Sequence, residues 1–192
     1  KVVASEGSQI VSRDSFNIGE QDFSTMLTRI RSLRPDVVYI GGWAGDGANI
    51  VRQSGEVGLK TQFVGSGSMN SDDFPQLAGP ASEGFAVSTQ FEPDAPNAFG
   101  REFGVRFKKI YNHEAGTLNA LGFDSTNIAI EAVRRVGKAD DSAAVQKMLK
   151  SGMRDFHIAQ GPADAKATFD EKGRVNFELF MAVIKNGKRV LA

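Results

Sequence analysis

Short apolar runs alternate with amphipathic stretches along the first half of the chain. Residues 37–40 form a continuous apolar run, which is typical of a strand buried on both faces of a parallel sheet. Before this run, apolar side chains recur at i, i+3, i+4 and i+7 and predict one face of a helix, namely Phe23, Met26, Leu27, Ile30 and Leu33. Further strands are predicted at residues 2–4, 63–65 and 85–88, and a second helix at about 46–57. Strands separated by helices in this way predict βαβ units and a parallel sheet.

The second half is mostly helical and lies between two predicted crossovers. Residues 92–97 are rich in Pro and Asp and indicate a linker, and residues 155–161 indicate a second crossover. Three apolar stripes predict helices between them: Phe99, Phe103, Phe107 and Ile110; Leu121, Ile128, Ala132 and Val136; Val145, Met148 and Leu149. Near the end, Asn186-Gly187 predicts a hairpin turn before a last short strand.

Capping residues mark the expected ends of these helices. Asp22 is predicted to cap the first helix or to lie in its first turn. Helix stops are predicted at Gly58, Gly137 and Gly152, because glycine readily adopts the left-handed conformation that ends a helix. The pairs Asp72-Asp73 and Asp140-Asp141 stand where helices could begin, so capping explains them better than ion binding.

The composition excludes several classes of protein. The 192 residues carry 23 basic and 23 acidic side chains, and this neutral balance argues against a nucleic-acid partner. Without cysteine, the sequence has no disulfide, thiolate nucleophile or Cys-based metal site. His113 and His157 lie far apart, and neither has the surroundings of a catalytic triad. No apolar run approaches the roughly 18 residues of a membrane span. We therefore expect no catalytic residue, no metal and no cofactor.

Candidate ligand-binding residues follow the carboxyl ends of two predicted strands. Trp43 follows the strand at 37–40, and Ser66-Gly67-Ser68 follows the strand at 63–65. Ligands of open parallel sheets bind at this edge, and an aromatic wall beside hydroxyl and backbone donors suits a small molecule. The glycine-rich stretch 41–47 has neither Walker nor dinucleotide spacing. The alternative for Trp43 is that it packs on the neighbouring helix.

Several short motifs follow one another in a characteristic order. They are Asp22-Phe23-Ser24, Pro35-Asp36-Val37-Val38, Gly41-Gly42-Trp43, Ile50-Val51-Arg52-Gln53, Glu56-Val57-Gly58-Leu59-Lys60, Phe63-Val64-Gly65, Leu77-Ala78-Gly79, Ser82-Glu83-Gly84, Gly122-Phe123-Asp124-Ser125 and Phe169-Asp170-Glu171-Lys172-Gly173-Arg174. Their order resembles the periplasmic branched-chain amino-acid binding protein family, the solute receptors of ABC importers. The resemblance implies an α/β fold with the parallel-sheet (βα) lobes of type I periplasmic binding proteins, in a Venus-flytrap architecture that closes on a ligand.

The resemblance also implies how the chain is divided. Residues 1–92 would belong to the C-terminal lobe, residues 95–152 to the helical part of the N-terminal lobe, and residues 156–192 to the return into the C-terminal lobe. The first residues read as the interior of a strand. We therefore expect the N-terminal part of the family fold to be missing from this chain, so that the absent N-terminal lobe would be one of its partners.

Site residues are carried over from the family by position. Trp43 would stack on the ligand, and Leu118 would add an apolar contact from the other lobe. In the loop Ser66-Gly67-Ser68, Gly67 takes a slot where the family often carries an acid that pairs with the ligand ammonium. This departure argues against a plain α-amino acid, because an unpaired ammonium in a closed cleft costs several kcal/mol. Asp46 could replace the acid if it points into the cleft.

The implied function is that of an extracytoplasmic solute-binding receptor, periplasmic or anchored to the membrane as a lipoprotein. It would bind a branched-chain or aromatic amino acid, or a related carboxylate or amide, by lobe closure. It would then deliver this small molecule to an ABC permease of the inner membrane. The alternative is a ligand-sensing regulatory domain with the same fold. An α/β enzyme is a third class, and no nucleophile, metal or phosphate motif favours it.

Overall fold

The computed structural model describes residues 7–151, 153–170, 172–175 and 179–192. The predicted strand at 2–4 and the predicted helix stop at Gly152 lie outside these residues. In the described part, the helices are α1 (Ser24–Ser32), α2 (Ala44–Glu56), α3 (Asp73–Ala78), α4 (Ala98–Tyr111), α5 (Thr117–Val136) and α6 (Ser142–Ser151). The strands are β1 (Val37–Ile40), β2 (Gln62–Gly65), β3 (Ala86–Thr89), β4 (Met153–His157), β5 (Lys166–Ala167), β6 (Phe180–Lys185) and β7 (Lys188–Leu191).

Five of these strands form one mixed sheet in the order β1-β2-β3-β6-β7. β1, β2 and β3 are parallel, with Ile40 opposite Gly65 and Gly65 opposite Val87, so the predicted parallel sheet is confirmed for these strands. β6 runs antiparallel to β3, and β7 antiparallel to β6. The predicted hairpin turn joins β6 to β7, and both of its residues have positive φ, 52° at Asn186 and 70° at Gly187, as a tight hairpin requires.

Helices α1, α2 and α3 pack on this sheet and form the first hydrophobic core. The predicted stripe of α1 supplies Phe23, Leu27 and Ile30, and strand residues such as Phe63 and Val87 meet them. Gln53 of α2 ties the start of α1 in place, since its side chain accepts a hydrogen bond from the Phe23 amide at 2.7 Å. We call α1–α3 with β1–β3, β6 and β7 the sheet body.

The prediction that β1 is buried on both faces is wrong for the described residues. Val38 and Ile40 face the helices, whereas Val37 and Tyr39 are 54% and 65% exposed. Alternate side chains of a strand point to opposite faces, and the described helices cover only one face of the sheet. An apolar surface is thus left open on the other face.

The remaining helices and the two-stranded sheet β4-β5 form a second packing unit, which we call the helical block. Its cores join apolar residues of α4, α5 and α6 to residues 153–169. Asn97 caps α4 by accepting a hydrogen bond from Gly100, and α5 ends at Gly137 with φ 76°, as predicted. Among the described helices, none has both the length and the apolar character needed to cross a membrane.

The chain leaves and rejoins the sheet body at two segments that lie side by side. The Gly161 amide donates a hydrogen bond to the Gln90 carbonyl at 2.7 Å, and the side chains of Gln160 and Gln90 lie 3.1 Å apart. Residues 153–169 pack with the helical block, and the described chain rejoins the large sheet at Phe180. The lobe boundaries expected at 92, 95, 152 and 156 stay predictions.

Candidate functional site

The loops that follow β1 and β2 are joined at the carboxyl edge of the sheet. The Ser66 amide donates to the Ile40 carbonyl at 3.1 Å, which extends the pairing of the two strands. The Ser68 hydroxyl donates to the Gly42 carbonyl at 2.5 Å, and the Ser66 and Ser68 hydroxyls are 2.6 Å apart. If Ser66 donates to Ser68, both hydroxyl protons are engaged within the protein, so the pair offers a ligand acceptor lone pairs.

Gly67 lies where this loop approaches two other segments. A Cβ atom at position 67 would lie 3.1 Å from the Ser88 carbonyl oxygen and 3.9 Å from Cγ2 of Thr117. Thr117 and Leu118 begin α5, so the loop from the sheet body faces the first turn of a helix from the helical block. Leu118 is 48% exposed next to this junction. The structure therefore brings the 66–68 loop and the start of α5 together between the two packing units.

Trp43 occupies the extended residue immediately before α2, with φ −93° and ψ 163°. Half of its surface is exposed, and it is not among the residues that pack against the core of the sheet body. Its neighbour Gly42 accepts from the Ser68 hydroxyl, so Trp43 belongs to the same edge as the 66–68 loop. Its role in stacking on a ligand stays a prediction.

Asp46 is buried in the first turn of α2 and serves its own packing unit. Its Oδ1 atom accepts a hydrogen bond from the Gly19 amide at 2.9 Å, so it holds the loop that precedes α1. A carboxylate engaged in this way would have to share or release that bond to meet a ligand ammonium. That Asp46 takes the place of the acid missing at Gly67 stays a prediction. The contact with Gly19 makes this role less favourable.

The two adjacent acidic pairs, Asp72-Asp73 and Asp140-Asp141, were both expected to cap helices, and only the second does so. Asp141 accepts from the Ala144 amide at 2.9 Å and caps α6, as predicted. Asp72 does not cap a helix, and its two oxygens instead meet Arg189 and the Glu114 amide at 2.8 and 2.9 Å. The sequence pattern missed this because Arg189 lies 117 positions away. Within the described ranges, no group of three or more acidic or histidine side chains could hold a metal ion.

A buried polar cluster beside the candidate site was not predicted. Arg189 and Asn70 lie at its centre, and both side chains are almost fully buried. Glu92 joins them with its Oε1 atom 2.7 Å from the Asn70 amide nitrogen. Burial raises the pKa of Glu92, and the nearby Arg189 charge opposes this rise. Asn70 and Glu92 follow the ends of neighbouring strands, which was the one available sequence signal.

These features are those of an α/β protein with a candidate ligand site at the carboxyl edge of a parallel sheet, where a second packing unit faces it. The family model described as "Periplasmic binding protein" matches residues 1–189, and the chain belongs to this family. Its members are solute-binding proteins and not enzymes, in agreement with the expectation from sequence.

Two relatives illustrate the similarity in sequence. The Leu/Ile/Val-binding protein of Escherichia coli is 30% identical over 165 residues, which are 85% of this chain and 42% of that protein. The Leu/Ile/Val-binding protein homolog 1 of Brucella suis is 29% identical over 162 residues, 83% of this chain and 41% of that protein. The chain thus spans about two-fifths of the length of these relatives.

Solved structures confirm the type I periplasmic binding fold. The leucine binding protein of Thermotoga maritima superimposes with a TM-score of 0.87 at 28% identity, over 98% of this chain and 52% of that one. A solute-binding protein of Rhodopseudomonas palustris in complex with benzoate gives a TM-score of 0.80 at 19% identity, over 98% and 51%. The second likeness concerns the fold alone.

Proposed function

We propose that the chain is part of an extracytoplasmic solute receptor of an ABC importer. The receptor binds a branched-chain or aromatic amino acid, or a related carboxylate or amide, by closure of two lobes. The observation that carries this proposal is the meeting of the 66–68 loop of the sheet body with the first turn of α5. The named ligands of the relatives, which include leucine, isoleucine and valine, support the substrate class. A periplasmic or membrane-anchored location and an inner-membrane permease as partner follow from this assignment.

The chemistry of the 66–68 loop narrows the ligand. Gly67 carries no acid, and Asp46 is engaged with Gly19. The hydroxyls of Ser66 and Ser68 can accept hydrogen bonds but bring no negative charge. A neutral N–H group suits such acceptors, whereas an ammonium there would lack a counter-charge. We propose that the ligand is a carboxylate or amide whose recognition at this loop does not depend on an ammonium.

A comparison of L-leucine with 4-methylpentanoate, which is leucine without its amino group, tests this proposal on the full-length polypeptide. We expect the wild-type receptor to bind the two compounds with affinities within about tenfold of each other by titration calorimetry. Gly67→Glu should shift the ratio towards leucine by at least about tenfold. Gly67→Gln is the matched control, because it places a side chain of the same size against Ser88 without the charge.

Three results would contradict the ligand proposal or the function. A wild-type receptor that binds leucine more than a hundredfold better than 4-methylpentanoate would show that an ammonium site exists elsewhere. Equal ratios for Gly67→Glu and Gly67→Gln would show that position 67 does not face the ligand. Binding of none of the branched-chain and aromatic acids, amino acids and amides in a thermal-shift panel would contradict the receptor assignment.

We also propose that an N-terminal lobe encoded with this chain covers its open apolar surfaces. On the helical block, exposed apolar side chains include Val105, Ile110, Leu121 and Ile130. An aromatic groove of about 310 Å³ lies between α4 and α5, lined in part by Phe103, Phe107 and Phe123. An exposed apolar groove of this kind is typical of a surface that contacts further protein. Co-expression of the preceding segment should protect the amides of α4 and α5 from hydrogen exchange, and unchanged exchange would contradict this.

A further inference from the structure

A buried polar cluster joins the sheet body to the helical block next to the candidate ligand site. Its members are Asn70, Asp72, Thr89, Glu92, Thr117 and Arg189, and we call it the Arg189 cluster. Arg189 is on β7 and Asn70 follows the 66–68 loop, so both belong to the sheet body. Thr117 begins α5 in the helical block, and Glu92 lies on the segment that leaves β3. The cluster therefore spans both units and the connection between them.

The Arg189 guanidinium reaches three segments at once. It donates through Nη1 to the Asn70 side-chain oxygen and through Nη2 to Asp72, and Nη2 is 3.3 Å from the Ala115 carbonyl. Its charge faces two acids, Asp72 at 2.8 Å and Glu92 at 3.6 Å, and its side chain is only 5% exposed. The other oxygen of Asp72 accepts from the Glu114 amide at 2.9 Å. Arg189 and Asp72 thus hold the loop that leads into α5.

Asn70 holds the first turn of α5 from the other side. Its amide nitrogen lies 3.0 Å from the Thr117 hydroxyl and 2.7 Å from Glu92, and its two hydrogens can satisfy both. The two backbones also approach closely, because a Cβ atom at Gly116 would clash with the Asn70 carbonyl oxygen. Asn70 lies three residues after Gly67, so a shift of α5 relative to Asn70 would also change the distance between α5 and the 66–68 loop.

We propose that Arg189 and Asn70 are positioning residues for ligand binding, which fix the first turn of α5 against the 66–68 loop. This inference rests on the proposed function, because it takes the space beside these two segments as the ligand site. Neither residue needs to touch the ligand. The planar guanidinium is essential, because a lysine ammonium cannot bridge Asn70, Asp72 and Ala115 in the same plane.

The test compares Arg189→Lys with Arg135→Lys in the full-length polypeptide. Arg135 is the control, since its guanidinium likewise donates through both Nη atoms, here to the two oxygens of Asp155 at 2.8 Å, but within the helical block. Spin labels at Gly55→Cys on α2 and Lys109→Cys on α4 report the distance between the two units. Both positions are exposed, and the chain has no cysteine of its own. Pulsed dipolar spectroscopy without ligand then measures the distribution of that distance.

We expect Arg189→Lys to broaden or shift this distribution and Arg135→Lys to leave it unchanged. L-leucine and benzoate serve as binding probes, and Arg189→Lys should weaken the better of the two by at least about tenfold. Thr117→Val removes the hydroxyl contacts with Asn70 and Thr89 with little change in side-chain size, and should give a smaller change in the same direction. It also provides the readout if Arg189→Lys does not fold.

The outcomes separate this inference from the proposed function. Unchanged distance distributions in Arg189→Lys and Thr117→Val would overturn the positioning role, whatever the receptor binds. A lowered melting temperature with unchanged distance and unchanged affinity would reduce the cluster to a structural role and would also overturn it. If neither probe binds the wild-type receptor, the proposed ligand class fails, and the spectroscopic comparison still decides whether the cluster positions α5.

Discussion

The burial of Trp43 bears on its two interpretations at the residue scale. A tryptophan that packs on a neighbouring helix should be largely buried, whereas half of this side chain is exposed. We predict that Trp43→Ala weakens ligand binding by at least about tenfold, or about 1.4 kcal/mol, and barely lowers the melting temperature. Tyr39→Ala is the control for both measurements, because it removes another exposed aromatic side chain, on the strand β1 that precedes Trp43. Unchanged affinity with a lowered melting temperature would favour the packing interpretation.

Asp124 makes the stability of the helical block depend on pH. It is buried and accepts hydrogen bonds from the Ala159 and Gln160 amides, yet burial dominates and raises the pKa of its carboxyl to about 6. Between about pH 4 and pH 6 the folded state therefore holds more protons than the unfolded state, and stability falls as the pH rises. Above about pH 6 this loss is complete.

We therefore predict that the wild type and Asp124→Asn differ in how their free energy of unfolding depends on pH. From pH 4 to pH 7, the free energy of unfolding of the wild type should fall relative to that of Asp124→Asn by up to about 3 kcal/mol. Urea unfolding at several pH values measures this difference. The asparagine variant is expected to be less stable at every pH, because its amide cannot accept from both backbone donors. A pH-independent difference would show that the carboxyl titrates normally.

The positions of candidate site residues were predictable where one strand end was enough to locate them. Trp43 and the 66–68 loop follow strand ends, and the carboxyl-edge rule places them together. Asp46 and Arg189 depend on contacts that no local pattern contains. The partner of Asp46 is 27 positions away at Gly19, and Arg189 meets Asn70 across 119 positions. Such contacts exist only once the fold is complete.

At the scale of elements, apolar periodicity and capping residues located the longer helices well, whereas no apolar stripe predicted the six-residue α3. The predicted helix at 46–57 is α2 at Ala44–Glu56, and Gly58 follows it with φ 71°, in the left-handed region. The short turns Gly67–Met69 and Gly79–Ser82 were not predicted, since three or four residues carry no periodic signal. The pairing of β4 with β5 was also not predicted, because strands of five and two residues carry little periodic signal.

Asn97 connects the start of α4 to the second crossover and provides the prediction at this scale. Its side chain accepts from the Gly100 amide and lies 2.9 Å from the Ile158 carbonyl and 3.2 Å from those of Ala159 and Gln160. Asn97→Ala should therefore lower the free energy of unfolding by about 2–3 kcal/mol, because a cap and buried hydrogen bonds are both lost. Asp141→Ala is the matched control, since it removes an exposed cap of α6 alone and should cost about 1 kcal/mol. Urea denaturation checks both values, and equal losses would show that the crossover contacts contribute nothing.

On the scale of the whole molecule, the alternation of strands and helices was sufficient to predict the parallel sheet. The arrangement of the two packing units was not predictable, because it depends on the pairing of two crossovers at Gln90 and Gly161 and on the Arg189 cluster. The predicted burial of β1 was wrong for a related reason. An apolar run indicates that both faces of a strand are covered, and the described chain supplies helices for only one of them.

The last prediction concerns the affinity for ligand of the 192-residue chain on its own. The described candidate site consists of Trp43, the 66–68 loop and the first turn of α5, and the proposed N-terminal lobe would supply the groups that bind a ligand carboxylate. Losing two such charge-assisted hydrogen bonds should weaken binding by at least about a hundredfold, or about 2.7 kcal/mol. Titration calorimetry of the 192-residue chain and of the full-length polypeptide with the same ligand measures this ratio. Adding the separately expressed N-terminal segment should restore binding, and an isolated chain that binds as tightly as the full-length polypeptide would show that its own residues complete the site.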